Sequence, residues 1–122
     1  MADPLPDETT LIRGGENKLT DLRTAAEEAA DTGDDGYVLS GNADASMDLD
    51  AILRAARQPH PSISKTTVGR VRAAGCEVGH PTGRKRHVTI YLPQPPMDAD
   101  YQRFQEAFDP PEPNPHRGKS RR

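Results

Sequence analysis

The sequence predicts a small α+β domain of helices, one short strand and a β-hairpin. Three observations predict it. Apolar residues recur at helical spacing in three segments, a β-branched run near position 90 follows a turn signal, and prolines and glycines punctuate the joins. The packed part is expected over residues 16–109, between an irregular tail at 1–15 and a proline-rich, then basic, tail at 110–122.

Taken in order, Pro4, Pro6 and the Gly14-Gly15 pair break any periodic pattern at the start. A first helix is expected from about Glu16 to Ala30, with Leu19, Leu22, Ala26 and Ala29 on one side. Gly33 to Gly36 stop it, and Tyr37-Val38-Leu39 suits one small strand. Ser46 is a candidate cap for a second helix whose stripe is Leu49, Ile52, Leu53 and Ala56, and Pro59 and Pro61 forbid its continuation. Ser64 is read as the cap of a third helix, Lys65 to Ala74, closed by Gly75. Cys76–Gly79 and Arg86–Leu92 flank Pro81-Thr82-Gly83 as a β-hairpin. A last helix from about Asp98 to Phe108 sets Tyr101, Phe104 and Phe108 on one face.

Charge is distributed unevenly. Residues 1–50 carry 13 acids and three bases, residues 51–87 one acid and eight bases, and residues 88–122 five of each, giving −10, +7 and 0 within a total of −3. A basic block on compact elements suits a polyanion, although basic and acidic segments also pair within folds. No run of 18 apolar residues exists, and MADPLPDETT has neither a basic start nor an apolar stretch, so neither a membrane span nor a secretory leader is expected. The single cysteine, Cys76, suits a reducing, cytoplasmic setting. Arginine exceeds lysine twelve to four, a bias of high-GC bacterial genomes.

The segment Ser64-Lys65-Thr66-Thr67-Val68-Gly69-Arg70-Val71-Arg72-Ala73-Ala74-Gly75 resembles the recognition helix of the winged helix-turn-helix superfamily, with a capping Ser before Thr-Val and Arg, and a Gly leading into the wing. Cys76 to Leu92 is similar to that wing, and the resemblance spans about residues 46–92. It implies a three-helix core with a small hairpin wing and an added C-terminal helix. The implied function is sequence-specific binding of double-stranded DNA, as a transcriptional or mobile-element regulator without catalysis. Val68, Val71 and Ala74 would face inward, leaving Lys65, Thr66 and Arg70 for base edges. Ser64, Arg72, Arg84, Lys85 and Arg86 would meet phosphate. Tyr101, Phe104 and Phe108 would serve either the core or the seam of a homodimer.

Two other classes stay open. Winged helices also dock proteins. His80-Pro81-Thr82 and His87-Val88-Thr89 resemble the His-x-Thr elements of two-histidine phosphoesterases, so a small ribonuclease using His80 and His87 is the enzymatic alternative. One cysteine and four dispersed histidines offer no structural zinc spacing, and no glycine-rich phosphate loop or calcium loop is legible, so no metal or cofactor is expected.

Overall fold

The computed structural model describes residues 5–33, 36–56, 60–79 and 86–115. Its framework is a six-stranded sheet, antiparallel throughout, formed by β1 (Thr10–Gly14), β2 (Val38–Ala43), β3 (Ser62–Thr67), β4 (Glu77–Gly79), β5 (His87–Tyr91) and β6 (Glu112–Pro113), in the order β4-β5-β2-β1-β3-β6. Four helices, α1 (Leu19–Thr32), α2 (Leu49–Ala56), α3 (Val68–Ala73) and α4 (Asp98–Glu106), pack on it.

Strand β1 sits between β2 and β3 and divides the molecule into two cores. Successive side chains of a strand point to opposite faces. Leu11 therefore enters the larger core with Leu22 and Ala26 of α1, Val68 and Val71 of α3, Tyr101 and Phe104 of α4, and Leu39, Val78, Val88 and Ile90 of the sheet. Ile12 enters a smaller core with Ile52 and Leu53 of α2 and Ile63 of β3. At roughly 2 kcal/mol for each fully buried Leu or Ile, this pair alone stabilises the sheet substantially.

This architecture corrects the expectation of a winged helix-turn-helix. No three-helix core with a small wing forms, because the sheet is the central layer and residues 10–14, expected to be tail, are one of its inner strands. Residues 64–67, expected to open a recognition helix, lie in β3 instead. The helix is only Val68–Ala73, and its cap is Thr67, whose hydroxyl accepts from the Arg70 amide at 3.3 Å. Likewise α2 is capped by Asp48, which accepts from the Ala51 amide at 2.9 Å, while Ser46 bonds Asp44. Gly75 does close α3, at φ 97°, with the Cys76 amide reaching back to the Val71 carbonyl. The expected pairing of the two hairpin segments also holds, since Glu77, Val78 and Gly79 pair with Tyr91, Ile90 and Thr89.

Tyr101, Phe104 and Phe108 are 2%, 0% and 7% exposed within a single chain, so they are core and not a dimer seam. Arg23 of α1 stacks over the Tyr101 ring at 5.0 Å and pairs with Asp98, fastening α1 to α4. Cys76 is buried nearby, and that burial, with Asp100 adding to it, pushes its thiol up to about 11.

The face of α3 expected to meet DNA is covered by the chain's own N-terminal segment. The Val68 and Gly69 amides donate to the carbonyls of Thr9 and Asp7 at 2.9 and 2.8 Å. Arg72 donates to the Leu5 carbonyl and the Asp7 carboxylate, each at 2.7 Å. A Cβ at Gly69 would lie 2.8 Å from the Cβ of Asp7.

Gly69→Ala should therefore destabilise the fold by about 1–3 kcal/mol, although on an open helix it would be worth about 1 kcal/mol in the opposite sense; urea unfolding decides the sign. For Cys76, an unfolded thiol ionises near 9.0 and the folded one near 11. The stability it contributes is complete below about pH 9 and is lost as pH rises through 11. Alkylation of the native thiol at pH 8 should accordingly lag far behind that of the urea-unfolded chain, which mass spectrometry measures.

Candidate nucleic-acid interface

The residues expected to read bases do not share one exposed surface. Lys65 lies in β3 and pairs with Glu112 at 3.0 Å. Thr66 is 4% exposed, and its hydroxyl donates to the Ala107 carbonyl. Arg70 is bound to Asp109 at 2.9 Å. Of the residues expected at phosphate, Ser64 is buried and donates to the Gly15 carbonyl at 2.9 Å, and Arg72 holds Asp7. Arg84, Lys85 and His80 lie outside the described residues. Arg86 is half-buried at φ 68°, where the chain enters β5.

A different surface is left open by the way the helices are shared between the two faces. Val88 and Ile90 of β5, Leu39 of β2 and Val78 of β4 fill the larger core. By strand alternation His87, Thr89 and Tyr91, with Ser40, Asn42, Glu77 and Gly79, project from the opposite face. On that face α2 covers Ile12 and Ile63, toward the other half of the sheet. What remains among the described residues is a surface of β4, β5 and β2 that carries polar side chains, Val38 and one aromatic ring. Tyr91 lies across Gly79, where an added Cβ would come within 2.8 Å of its Cε1. Glycine at position 79 thus lets the ring lie low on the sheet.

At one end of this surface, β1 and β2 pair only at Leu11↔Ala43 and Ile12↔Asn42. Beyond that pair the Arg13 guanidinium takes over, donating through Nη1 to the Ser40 carbonyl and through Nε to Asn17 Oδ1 at 2.7 Å. It also stands 5.7 Å from the centre of the Phe104 ring. Burial pushes Arg13 down to about 10, so it stays cationic at neutral pH. A cavity of about 240 Å³ opens here, lined by Arg13, Gly14, Ser40, Gly41, Asn42, His60 and His87. His87 opposes Asn42 across the β2–β5 ladder, and its Nδ1 is buried without a hydrogen-bond partner among the described residues.

Sequence reasoning found His87 and Arg86 but missed Arg13, His60, Ser40 and Asn42. The lone arginine of the short run Leu11-Ile12-Arg13 was the available signal, and it carries weight only once that run is recognised as a buried strand. No group of three or more His, Cys, Asp or Glu side chains is placed to hold a metal ion among the described residues.

Thr66→Val should cost about 1–3 kcal/mol by leaving the Ala107 carbonyl unpaired. Arg70→Ala, at a half-exposed ion pair, should cost under about 1 kcal/mol. Thermal unfolding of the two variants separates a structural threonine from a surface arginine. No protein-family model matches the sequence, and neither a curated protein nor a solved structure is significantly similar to it.

Proposed function

We propose that the protein binds nucleic acid, and that it takes a single strand on the open face of β4, β5 and β2. The observation that carries this reading is the Tyr91 ring laid across Gly79 on a sheet surface that no helix of the described residues covers. Any base presents a flat π-face to such a platform, and stacking contributes about 1–3 kcal/mol per base. Val38 and Glu77 flank the ring in register, and Thr89 with Ser40, then His87 with Asn42 further along the ladder, extend the face with hydrogen-bonding groups. The connection from β4 to β5 contains Arg84, Lys85 and Arg86, so the basic block of the sequence leads directly into β5. Those cations supply the backbone attraction that stacking lacks.

The alternation of the sheet favours a strand over a duplex. Groove reading requires a protruding helix or ribbon, whereas α3 has six residues and is covered by residues 5–9. A splayed strand needs only a flat, wettable surface.

Fluorescence anisotropy with labelled single-stranded and duplex oligonucleotides tests this at low salt. Single strands should bind more tightly than duplexes, and Tyr91→Ala should weaken them about 5- to 150-fold. Tighter duplex binding, or unchanged affinity in Tyr91→Ala, overturns the reading.

A further inference from the structure

The described residues include nine lysines and arginines, and seven of them, Lys18, Arg23, Arg54, Lys65, Arg70, Arg72 and Arg103, pair with a carboxylate. Arg13 and Arg86 pair with none among those residues. Arg13 lines the cavity between β1 and β2, and Arg86, although not part of its lining, precedes His87, which is. The Arg86 carbonyl accepts from the Ala43 amide at 2.7 Å, joining that end of β5 to β2.

We propose that the Arg13 cavity is a binding site for a phosphate monoester, held by Arg13, His87, His60 and Asn42.

Four observations converge on an anion. A cation drawn into the protein without a counter-charge is costly, and a bound anion removes that cost. None of the seven lining residues is acidic. The two acceptors that hold Arg13, Asn17 Oδ1 and the Ser40 carbonyl, occupy Nε and Nη1, so Nη2 makes no hydrogen bond among the described residues. His87 lines the same cavity, and its Nδ1 is a buried polar atom without a hydrogen-bond partner among the described residues. Phosphate in particular offers three terminal oxygens, enough to engage a guanidinium, imidazoles and an amide together. The cavity of about 240 Å³ corresponds to roughly eight water volumes, which accommodates that group and part of its ester. Gly14 and Gly41 bring bare backbone to the rim.

The same chemistry has two sources: the terminal phosphate of a nucleic-acid strand, or a free nucleotide. The site stands on Arg13 and His87 and does not depend on Tyr91.

The full chain, titrated with inorganic phosphate, a nucleoside 5′-monophosphate and matched 5′-phosphorylated and 5′-hydroxyl oligonucleotides, is followed through the His60 and His87 ring resonances by NMR. Saturable shifts of both rings with phosphate or monophosphate are expected, and in His87→Ala the affinity read from the His60 ring should fall at least about 10-fold. Arg13→Gln should abolish them; if that variant does not fold, His87→Ala and Asn42→Ala carry the test. Stronger binding of the 5′-phosphorylated oligonucleotide identifies a strand end, and binding of the monophosphate alone identifies a free nucleotide. The proposal is overturned if chloride at matched ionic strength reproduces the shifts, or if no phosphate perturbs either ring at millimolar concentration. Tyr91→Ala leaves the monophosphate result unchanged even where it abolishes strand binding, so failure of one assignment is distinct from failure of the other.

Discussion

Burial of β1 on both faces is the constraint from which the rest of the structure follows. Leu11 and Ile12 are adjacent in sequence and wholly inaccessible, yet they belong to different cores. Only a strand with packed layers on each side achieves that. Three helices gather on the Leu11 side, and α2 alone serves the Ile12 side. One short helix cannot cover six strands. That the helices of the described residues leave the β4–β5–β2 surface free is thus a direct result of how the apolar residues are divided, and the proposed strand-binding face is the space α2 leaves.

The same strand explains the cavity. Where β1 stops pairing with β2 after Ile12, a backbone carbonyl would be stranded, and Arg13 satisfies it from the side chain. That substitution brings a guanidinium into the sheet without bringing a carboxylate. Asn17, at φ 55°, turns its Oδ1 toward the guanidinium and fixes its direction. Structure at the end of a ladder and charge at the cavity are consequently one feature.

Sequence periodicity made α1, α2 and α4 legible, because each places apolar residues at helical spacing. The paired hairpin was legible through β-branched His87-Val88-Thr89-Ile90-Tyr91 and its turn residues. Strands β1 and β3 were not. Leu11-Ile12 is too short a run to stand out, and β3, Ser62-Ile63-Ser64-Lys65-Thr66-Thr67, contains one aliphatic residue. Its inward positions are Ser64 and Thr66, whose hydroxyls meet the carbonyls of Gly15 and Ala107. A strand that buries hydroxyls instead of methyl groups lacks alternation of apolar residues, and its Ser and Thr mimic helix caps. The boundary between β3 and α3 fell between two residues, Thr67 and Val68, that suit either state. Of the candidate residues, His87 was visible through its His-x-Thr element and Arg86 through charge, while Arg13, His60, Ser40 and Asn42 converge only through the topology.

The outer strands have a bearing on assembly. β4 has three residues, and β6 has two, one of them Pro113, which has no amide hydrogen to offer a neighbour. Both margins of the sheet are therefore poor templates for recruiting another strand. A sheet with blunted margins and an uncovered broad side resists edgewise polymerisation, and any companion it acquires must approach across the side chains instead of through the backbone ladder.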